Sequence, residues 1–392
     1  MTSDKISAYI SNVNMMGAST AREYKFRLDS LRFFIENTYD ISIDTLIDQI
    51  KRGSKDVYDI LSQYGAYLKT NNNISNLTLK QRVVTVKNFL EYYDVDISPR
   101  KFKIKVKLPK AIRKNKEALS KEEIVDILNT CSDIRLKTYV MFLAATGMRA
   151  VEALSVRIKD LDLQSYLPRL FVRGEFTKTR SDRTIFLTTE VAHQLSSWLD
   201  YKYRSRRVCY SDNNGKTVTE YRTPKKNETD LVFSVYQSNK NPNPDNLYTE
   251  LSSSFAKTLD RMGKGAREDG NENRREITLH SLRRFVKTTI SDLGYQDFSE
   301  YFIGHSGSTY WTKKESEKAE IFQKIEPYLT FLNVHQLERK GADIQSKVDE
   351  LEELNHSLVE RDRTKDDAIA QLSDQLMTLT VRLQEIEKKQ QL

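Results

Sequence analysis

The chain has 392 residues, of which 38% are hydrophobic and 30% charged, and its formal net charge is +8. No apolar run approaches the ~20 residues that a membrane helix needs, the N-terminus does not resemble a secretory signal, and two cysteines exclude a disulfide framework or a cysteine metal cluster. We therefore expect a cytoplasmic protein of two or three domains, whose positive charge favours a polyanionic partner.

Residues 1–98 have helical periodicity. Tyr24, Leu28, Leu31 and Ile35 recur at the spacing of one helix face, and two further helices are predicted over residues 56–69 and 78–93. The same segments carry many lysines and arginines. These basic side chains either form a solvated surface or contact a polyanion. We predict a helical N-terminal domain over residues 1–98.

Residues 99–117 form a basic linker with nine lysines and arginines and no acid before Glu117. From Lys101 to Leu108 basic and apolar residues alternate, and a period of two predicts an extended segment with one basic face. Such a segment would contact successive phosphates and release counterions; otherwise it only adds solubility. The predicted contact residues are Lys101, Lys103, Lys105, Lys107, Lys110 and Arg113.

A second domain is predicted over residues 118–338. Ser120 and Glu123 form a capping box that opens a helix over residues 124–130. Further helices are predicted over residues 136–145, from 151, near 249 and over 280–293, and two strands over 170–174 and 183–187. The polar stretch 201–230, with a turn signal at Asp212-Asn213-Asn214-Gly215, predicts a surface insertion.

The tail, residues 339–392, carries a heptad pattern. Apolar residues alternate in steps of three and four, with Asn355 at one core position and polar residues at Asp362 and Lys365. This pattern predicts a coiled-coil helix that joins copies of the chain; the alternative is an amphipathic helix packed on its own domain. The apolar positions are Ile344, Val348, Leu351, Leu358, Ile369, Leu372, Leu376, Leu379, Leu383 and Ile386.

Two arginine motifs predict a phosphate site. In Thr146-Gly147-Met148-Arg149 the glycine ends one helix and the arginine opens the next, so that its forked guanidinium can reach a phosphate. His280 and Arg283 lie one helical turn apart and share a face. Two guanidiniums would stabilise the charge that develops when a phosphorus atom becomes five-coordinate.

Two more residues between and after these motifs belong to the same pattern. Lys178 lies between the two predicted strands. His305 follows Gly304, and it is one of only five histidines, two of which fall in these motifs.

The order Arg149, Lys178, His280-x-x-Arg283, His305 and a tyrosine resembles the tyrosine recombinase (phage integrase) family, in particular its archaeal branch. The resemblance covers about residues 1–338. It makes Glu152 a supporting acid and Lys178 the general acid that protonates the leaving oxygen. It implies a mainly α fold: a helical core-binding domain that clamps DNA, then an α-rich catalytic domain with a small antiparallel β-sheet. The coiled-coil tail is outside it.

The resemblance also implies the activity. The protein would be a site-specific recombinase that breaks and rejoins DNA through a 3′-phosphotyrosine, as a homo-oligomer on double-stranded DNA and without a metal or other cofactor. Three alternatives remain: a type IB topoisomerase, a catalytically inactive DNA-binding relative and a coiled-coil scaffold. A DNA enzyme of this kind would be associated with the nucleoid.

The nucleophile departs from the family pattern, because the matching position is Lys314. Tyr310 precedes it and Tyr328 follows it. The residues after Tyr328, including Val334 and Leu337, resemble the helix that follows the family's tyrosine. We therefore predict Tyr328 as the nucleophile, with Tyr310 as the alternative.

Overall fold

The computed structural model describes residues 4–71, 74–110, 116–211, 217–235, 242–268, 271–305 and 312–332, with scattered positions between 357 and 377. The chain divides into two compact units, one built on Met1–Lys116 and the other beginning at Glu117. Among the described residues, no helix combines the length and the apolar character needed to cross a membrane.

The first unit is helical, as predicted. Leu28, Leu31 and Ile35, from the predicted apolar face, are buried in its core together with Phe89 and Leu90. Its helices are α1 (Asp4–Val13), α2 (Ala18–Tyr39), α3 (Ile43–Lys51), α4 (Val57–Asn71), α5 (Asn76–Tyr92) and α6 (Pro99–Lys105).

Helix α6 shows that the extended conformation predicted for the basic segment is wrong. The Ser98 side chain caps the helix by accepting from the Lys101 amide, and Pro99 occupies the first turn, where its fixed φ suits a helix and its missing N–H costs nothing. Phe102 and Val106 then lie four residues apart and pack on the core of the unit. Ile104, between them in the alternating pattern, is 58% exposed, so only the spacing of four between Phe102 and Val106 is used in packing.

The basic residues of this segment differ in their surroundings. The Lys105 ammonium pairs with the Asp56 carboxylate at 2.6 Å, so its charge is already partly neutralised. Arg113 lies outside the described residues. The exposed members of the predicted set are Lys101, Lys103, Lys105, Lys107 and Lys110.

The second unit holds the remaining helices. The predicted capping box is present, because the Ser120 hydroxyl accepts from the Glu123 amide at 3.2 Å and the Glu123 carboxylate accepts from the Ser120 amide at 3.0 Å. The helices are α7 (Lys121–Thr130), α8 (Ile134–Thr146), α9 (Ala150–Leu154), α10 (Thr189–Tyr203), α11 (Pro244–Arg261), α12 (Leu279–Asp292), α13 (Gln296–Ile303) and α14 (Glu315–Ile325).

The strands form small antiparallel sheets, which confirms the predicted fold class. Strands β1 (Leu161–Asp162), β2 (Arg169–Val172) and β3 (Arg183–Phe186) form a three-stranded sheet in that order, and Leu170 pairs with Ile185 over the core. The predicted surface insertion contains a hairpin of β4 (Arg206–Ser211) and β5 (Thr217–Arg222). Strands β6 (Arg267–Glu268) and β7 (Asn271–Arg275) pair separately.

Helix α8 lies at the centre of the second unit. All its residues from Leu136 to Thr146 except Lys137 are buried, and it packs against α10 and α12. Helix α13 packs against α12, and its Phe302 stacks on Phe322 of α14. The carboxyl ends of α8 and α13 therefore meet beside α12, where Arg149, His280, Arg283 and His305 of the predicted site lie.

The described positions of the tail, between 357 and 377, are helical. Leu358, Ile369, Leu372 and Leu376 of the heptad pattern are 50–65% exposed. If this apolar stripe of the heptad pattern packed on its own domain, these leucines and Ile369 would be buried. Their exposure favours a partner helix instead. The other apolar heptad positions and Asn355 lie outside the described residues.

Candidate active site

Arg149 follows a tight turn that requires glycine. Helix α8 ends at Gly147, whose φ of +60° lies in the left-handed region. A Cβ at this position would lie 2.9 Å from the Ile303 side chain and 3.0 Å from that of Val286. Only glycine can adopt this backbone conformation without a clash with these two side chains. The turn places Arg149 at the N-cap of α9.

Glu152 holds the backbone of this turn. It is 3% exposed, and one carboxylate oxygen accepts from the Arg149 amide at 3.1 Å. The same carboxylate accepts from both terminal nitrogens of Arg183, at 3.0 and 3.1 Å. This bidentate ion pair ties the start of β3 to α9. It supports the predicted role of Glu152 as a supporting acid and gives Arg183 a role that the sequence did not indicate.

Arg283 joins the two helix ends. Its side chain is on α12 and the residue is 4% exposed. The Nη1 group donates to the carbonyls of Gly147 and Ile303, both at 2.7 Å. The Nη2 group is buried and has no hydrogen-bond partner among the described residues. Burial, and then the neighbouring Arg149, lower the pKa of Arg283 to about 10. A buried, unpaired donor of this kind is suited to an anionic oxygen.

Arg149 lies beside Arg283. Both of its terminal nitrogens are 3.4 Å from the Gly304 carbonyl oxygen, which is near the outer limit for a hydrogen bond. The two guanidiniums therefore rest on consecutive carbonyls, those of Ile303 and Gly304. Since these contacts with Gly304 are long, Arg149 can exchange them for an anion at little cost.

His280 lies in the first turn of α12 and is exposed. Burial of part of the ring lowers the pKa of His280, and the charges of Arg283, Arg284 and Arg149 lower it further. The neutral ring is therefore favoured near pH 7, and a neutral imidazole can accept a proton. Arg284 extends the positive cluster beyond the predicted residues.

His305 is held by a side chain that the sequence did not indicate. It follows Gly304, which ends α13 in the left-handed conformation, and its Nδ1 is hydrogen-bonded to the Glu300 carboxylate. The other Glu300 oxygen lies 2.5 Å from the Lys287 ammonium. A carboxylate acceptor keeps the proton on Nδ1 of the neutral ring, so that Nε2 carries the lone pair.

The pKa of His305 reflects two opposing effects. Partial burial lowers it most, and Glu300 raises it, while Arg283 and Lys287 lower it further. The only signal for Glu300 in the sequence is a carboxylate about one helical turn before Gly304, which is common on helices.

Lys178 is not brought to this cluster by any described contact. It is exposed in the loop between β2 and β3, and its ammonium has no hydrogen bond to a described residue. The loop itself is ordered by Thr177, whose hydroxyl donates to the Gly174 carbonyl at 2.9 Å. The position of Lys178 on the hairpin agrees with the prediction, and its role stays a prediction.

Tyr328 is also without a contact to the cluster. It is 49% exposed on a 3-10 turn, Glu326–Leu329, that follows α14. The turn is fixed by Lys121, which donates to the Pro327 carbonyl at 2.9 Å, and by Glu326, which accepts from the Thr189 amide at 2.7 Å. Within the described part of the chain the Tyr328 hydroxyl has no hydrogen-bond partner. Tyr310 lies outside the described residues.

The structure thus brings together Arg149, His280, Arg283 and His305. The sequence profile of the phage integrase family matches residues 117–310, which include these four residues and Lys178.

Two curated relatives match parts of the chain. Tyrosine recombinase XerA of Saccharolobus solfataricus is 31% identical over 127 residues, which are 32% of this chain and 40% of the relative. Tyrosine recombinase XerD of Haemophilus ducreyi is 28% identical over 147 residues, 35% of this chain and 43% of the relative. The chain spans less than half the length of these relatives.

Solved structures show the same fold. A lambda integrase (75-356) dimer bound to a COC′ core site superimposes with a TM-score of 0.52 at 13% identity, covering 79% of this chain and 97% of that one. The likeness to XerA agrees with the expected archaeal branch. Residues 117–310 therefore form a phage integrase domain, and the two curated relatives are tyrosine recombinases by name.

Proposed function

We propose that the protein is a site-specific DNA recombinase, or integrase, that cuts and rejoins strands through a covalent 3′-phosphotyrosine. The observation that carries this proposal is the pair of guanidiniums of Arg149 and Arg283 on consecutive carbonyls, with His280 and His305 beside them. The curated relatives that match parts of the chain are named tyrosine recombinases, which supports the same activity.

The two arginines would bind the two non-bridging oxygens of the scissile phosphate. Arg283 offers a buried Nη2 donor, and Arg149 would exchange its long contacts with Gly304 for bonds to the phosphate. Both charges are fixed before the reaction, so they stabilise the five-coordinate transition state without reorganisation. Because these cations supply the charge that a metal ion would otherwise supply, we propose a metal-independent reaction.

The bond changes balance without an external energy source. The phenol oxygen of the tyrosine bonds to phosphorus and gives up its proton, which the neutral ring of His280 is suited to accept. The bond from phosphorus to the 5′ oxygen breaks, and Lys178 would protonate that oxygen. A 5′ hydroxyl of another strand then attacks the phosphotyrosine and restores both the diester and the phenol.

We propose Tyr328 as the nucleophile, with Tyr310 as the alternative. In favour of Tyr328, its side chain is exposed on a turn that is fixed to the second unit at Thr189 and Lys121. In favour of Tyr310, the family match ends at that residue. The matched substitutions Tyr328→Phe and Tyr310→Phe separate the two.

The remaining contacts would come from the basic segment and the tail. Lys101, Lys103, Lys107 and Lys110 would bind DNA phosphates, as would Arg113, while Lys105 would first have to leave Asp56. The exposed heptad stripe would join copies of the protein on DNA. A protein with this substrate would act at the nucleoid.

The test is to trap the covalent adduct. Randomised duplex DNA is selected for binding, the recovered sites are prepared as nicked suicide substrates, and the adduct is mapped by mass spectrometry. We expect an adduct on one tyrosine, which is lost in the matching Phe variant and in Arg149→Ala. DNA binding without any adduct would indicate an inactive relative. Relaxation of supercoiled plasmid with no strand exchange between sites would indicate a topoisomerase.

A further inference from the structure

The ribbon formed by β4 and β5 stands apart from the core of the second unit. Its strands pair in register over six residue pairs, from Arg206 with Arg222 to Ser211 with Thr217, and they pair with no other described strand. Val208 and Val218 are only partly buried, and neither belongs to the core. An isolated two-stranded ribbon gains little stability by itself in water.

The described side chains on one face of the ribbon can all donate hydrogen bonds, and none of them is acidic. Side chains alternate along each strand, and directly paired residues share a face. Arg207 pairs with Tyr221, and Cys209 with Thr219, so these four residues lie on one face together with Ser211. Tyr221 is 75% exposed. Guanidinium, hydroxyl and phenol groups are the side chains that commonly contact DNA phosphates.

The opposite face contains the one acid of the two strands. Glu220 pairs with Arg222 through a short ion pair, and Arg222 also lies over the ring of Tyr210 at 5.2 Å. The charge of Arg222 is therefore partly neutralised within the ribbon. Arg207, in contrast, is exposed and has no hydrogen bond or ion pair with a described residue.

Positive charge is concentrated in this part of the chain. Residues 204–226 contain seven lysines and arginines and two acids, a net +5 in a protein whose total is +8. Six-residue strands extend over roughly 17–20 Å, and the major groove of DNA admits a two-stranded ribbon. A basic ribbon of this length, with donor groups along one face, is therefore complementary to the phosphate backbone of duplex DNA, and an apolar protein surface would leave its charges unpaired.

We propose that the donor face of the β4–β5 ribbon (Arg207, Cys209, Ser211, Thr219 and Tyr221) binds the backbone of duplex DNA, outside the catalytic cluster. This surface rests on the proposed function, because it assumes that DNA is the substrate. It adds a contact that neither the basic segment nor the arginine cluster provides.

The experiment measures how the affinity of the full chain for a fluorescent duplex of random sequence depends on salt. Each phosphate contact contributes about 0.9 to the slope of log affinity against log salt. Arg207→Ala should reduce the slope by about 0.9, so that the ratio of wild-type to variant affinity falls about threefold between roughly 50 and 200 mM salt. The matched control, Arg222→Ala, removes the same charge from the opposite face and should leave the slope unchanged.

Binding at low salt tests the proposed function, and the salt slope of Arg207→Ala tests the ribbon surface. If the full chain fails to bind duplex DNA even at low salt, the proposed function itself is wrong, and the ribbon surface with it. If the wild type binds but Arg207→Ala keeps the full slope, only the ribbon surface is wrong. An unchanged slope with altered sedimentation would assign the ribbon to contacts between copies instead. Both substitutions are at exposed positions, and unchanged melting temperatures would establish that the variants fold.

Discussion

The two arginines of the cluster should differ in what they contribute to stability. Arg283 is buried and donates to the carbonyls of Gly147 and Ile303 at 2.7 Å. Arg149 is partly exposed and contacts one carbonyl at 3.4 Å. We therefore compare Arg283→Met and Arg149→Met, since methionine retains much of the volume of arginine and removes all its donors.

The expected magnitudes follow from the groups left unpaired. Arg283→Met leaves two buried carbonyls without a donor, at about 1–3 kcal/mol each, while removal of a desolvated charge partly offsets this loss. The free energy of unfolding should fall by about 2–4 kcal/mol. Arg149→Met removes two long hydrogen bonds to one carbonyl and a charge repulsion that lowers the pKa of Arg283. The free energy of unfolding of Arg149→Met should differ from that of the wild type by less than about 1 kcal/mol.

Differential scanning calorimetry of the full chain measures the difference. For a domain of this size, 1 kcal/mol corresponds to about 2–4 °C in melting temperature. Arg283→Met should shift only the transition of the second unit, and Arg149→Met should leave both transitions nearly unchanged. Equal shifts for the two variants would refute the assignment of Arg283 as the residue that joins the helix ends.

Two further predictions concern protonation. Glu300→Gln removes the carboxylate that raises the pKa of His305, so an NMR titration should show that pKa moving down while the pKa of His280 stays constant; an upward shift would contradict the contact. Lys202 on α10 is 2% exposed, and this burial lowers its pKa from 10.5 to about 8. Between pH 8 and 10.5 the unfolded chain therefore binds more protons than the folded chain, so the free energy of unfolding should rise with pH in this range. Denaturant titrations at several pH values in this range should show a smaller rise in the free energy of unfolding for Lys202→Met than for the wild type. An equal rise in both proteins would show that Lys202 is not responsible.

Periodic and capped segments could be predicted from the sequence because their signals are local. The apolar face of α2 and the capping box at Ser120 depend on residues within one or two turns, and both are present. The extended conformation predicted for the basic segment is wrong, because the alternation of basic and apolar residues indicates a strand while the cap before it starts a helix. Ser98 and Pro99 determined the outcome.

The sequence by itself determined which residues could form a phosphate site: Arg149, His280, Arg283 and His305 stand in a recognisable order along the chain. Only the tertiary structure decided that Arg283 joins the ends of α8 and α13, and that Glu300 holds His305. The physical reason is that a hydrogen bond to a backbone carbonyl 136 residues away has no sequence signature. Any residue supplies a carbonyl, and only packing brings the right one within reach.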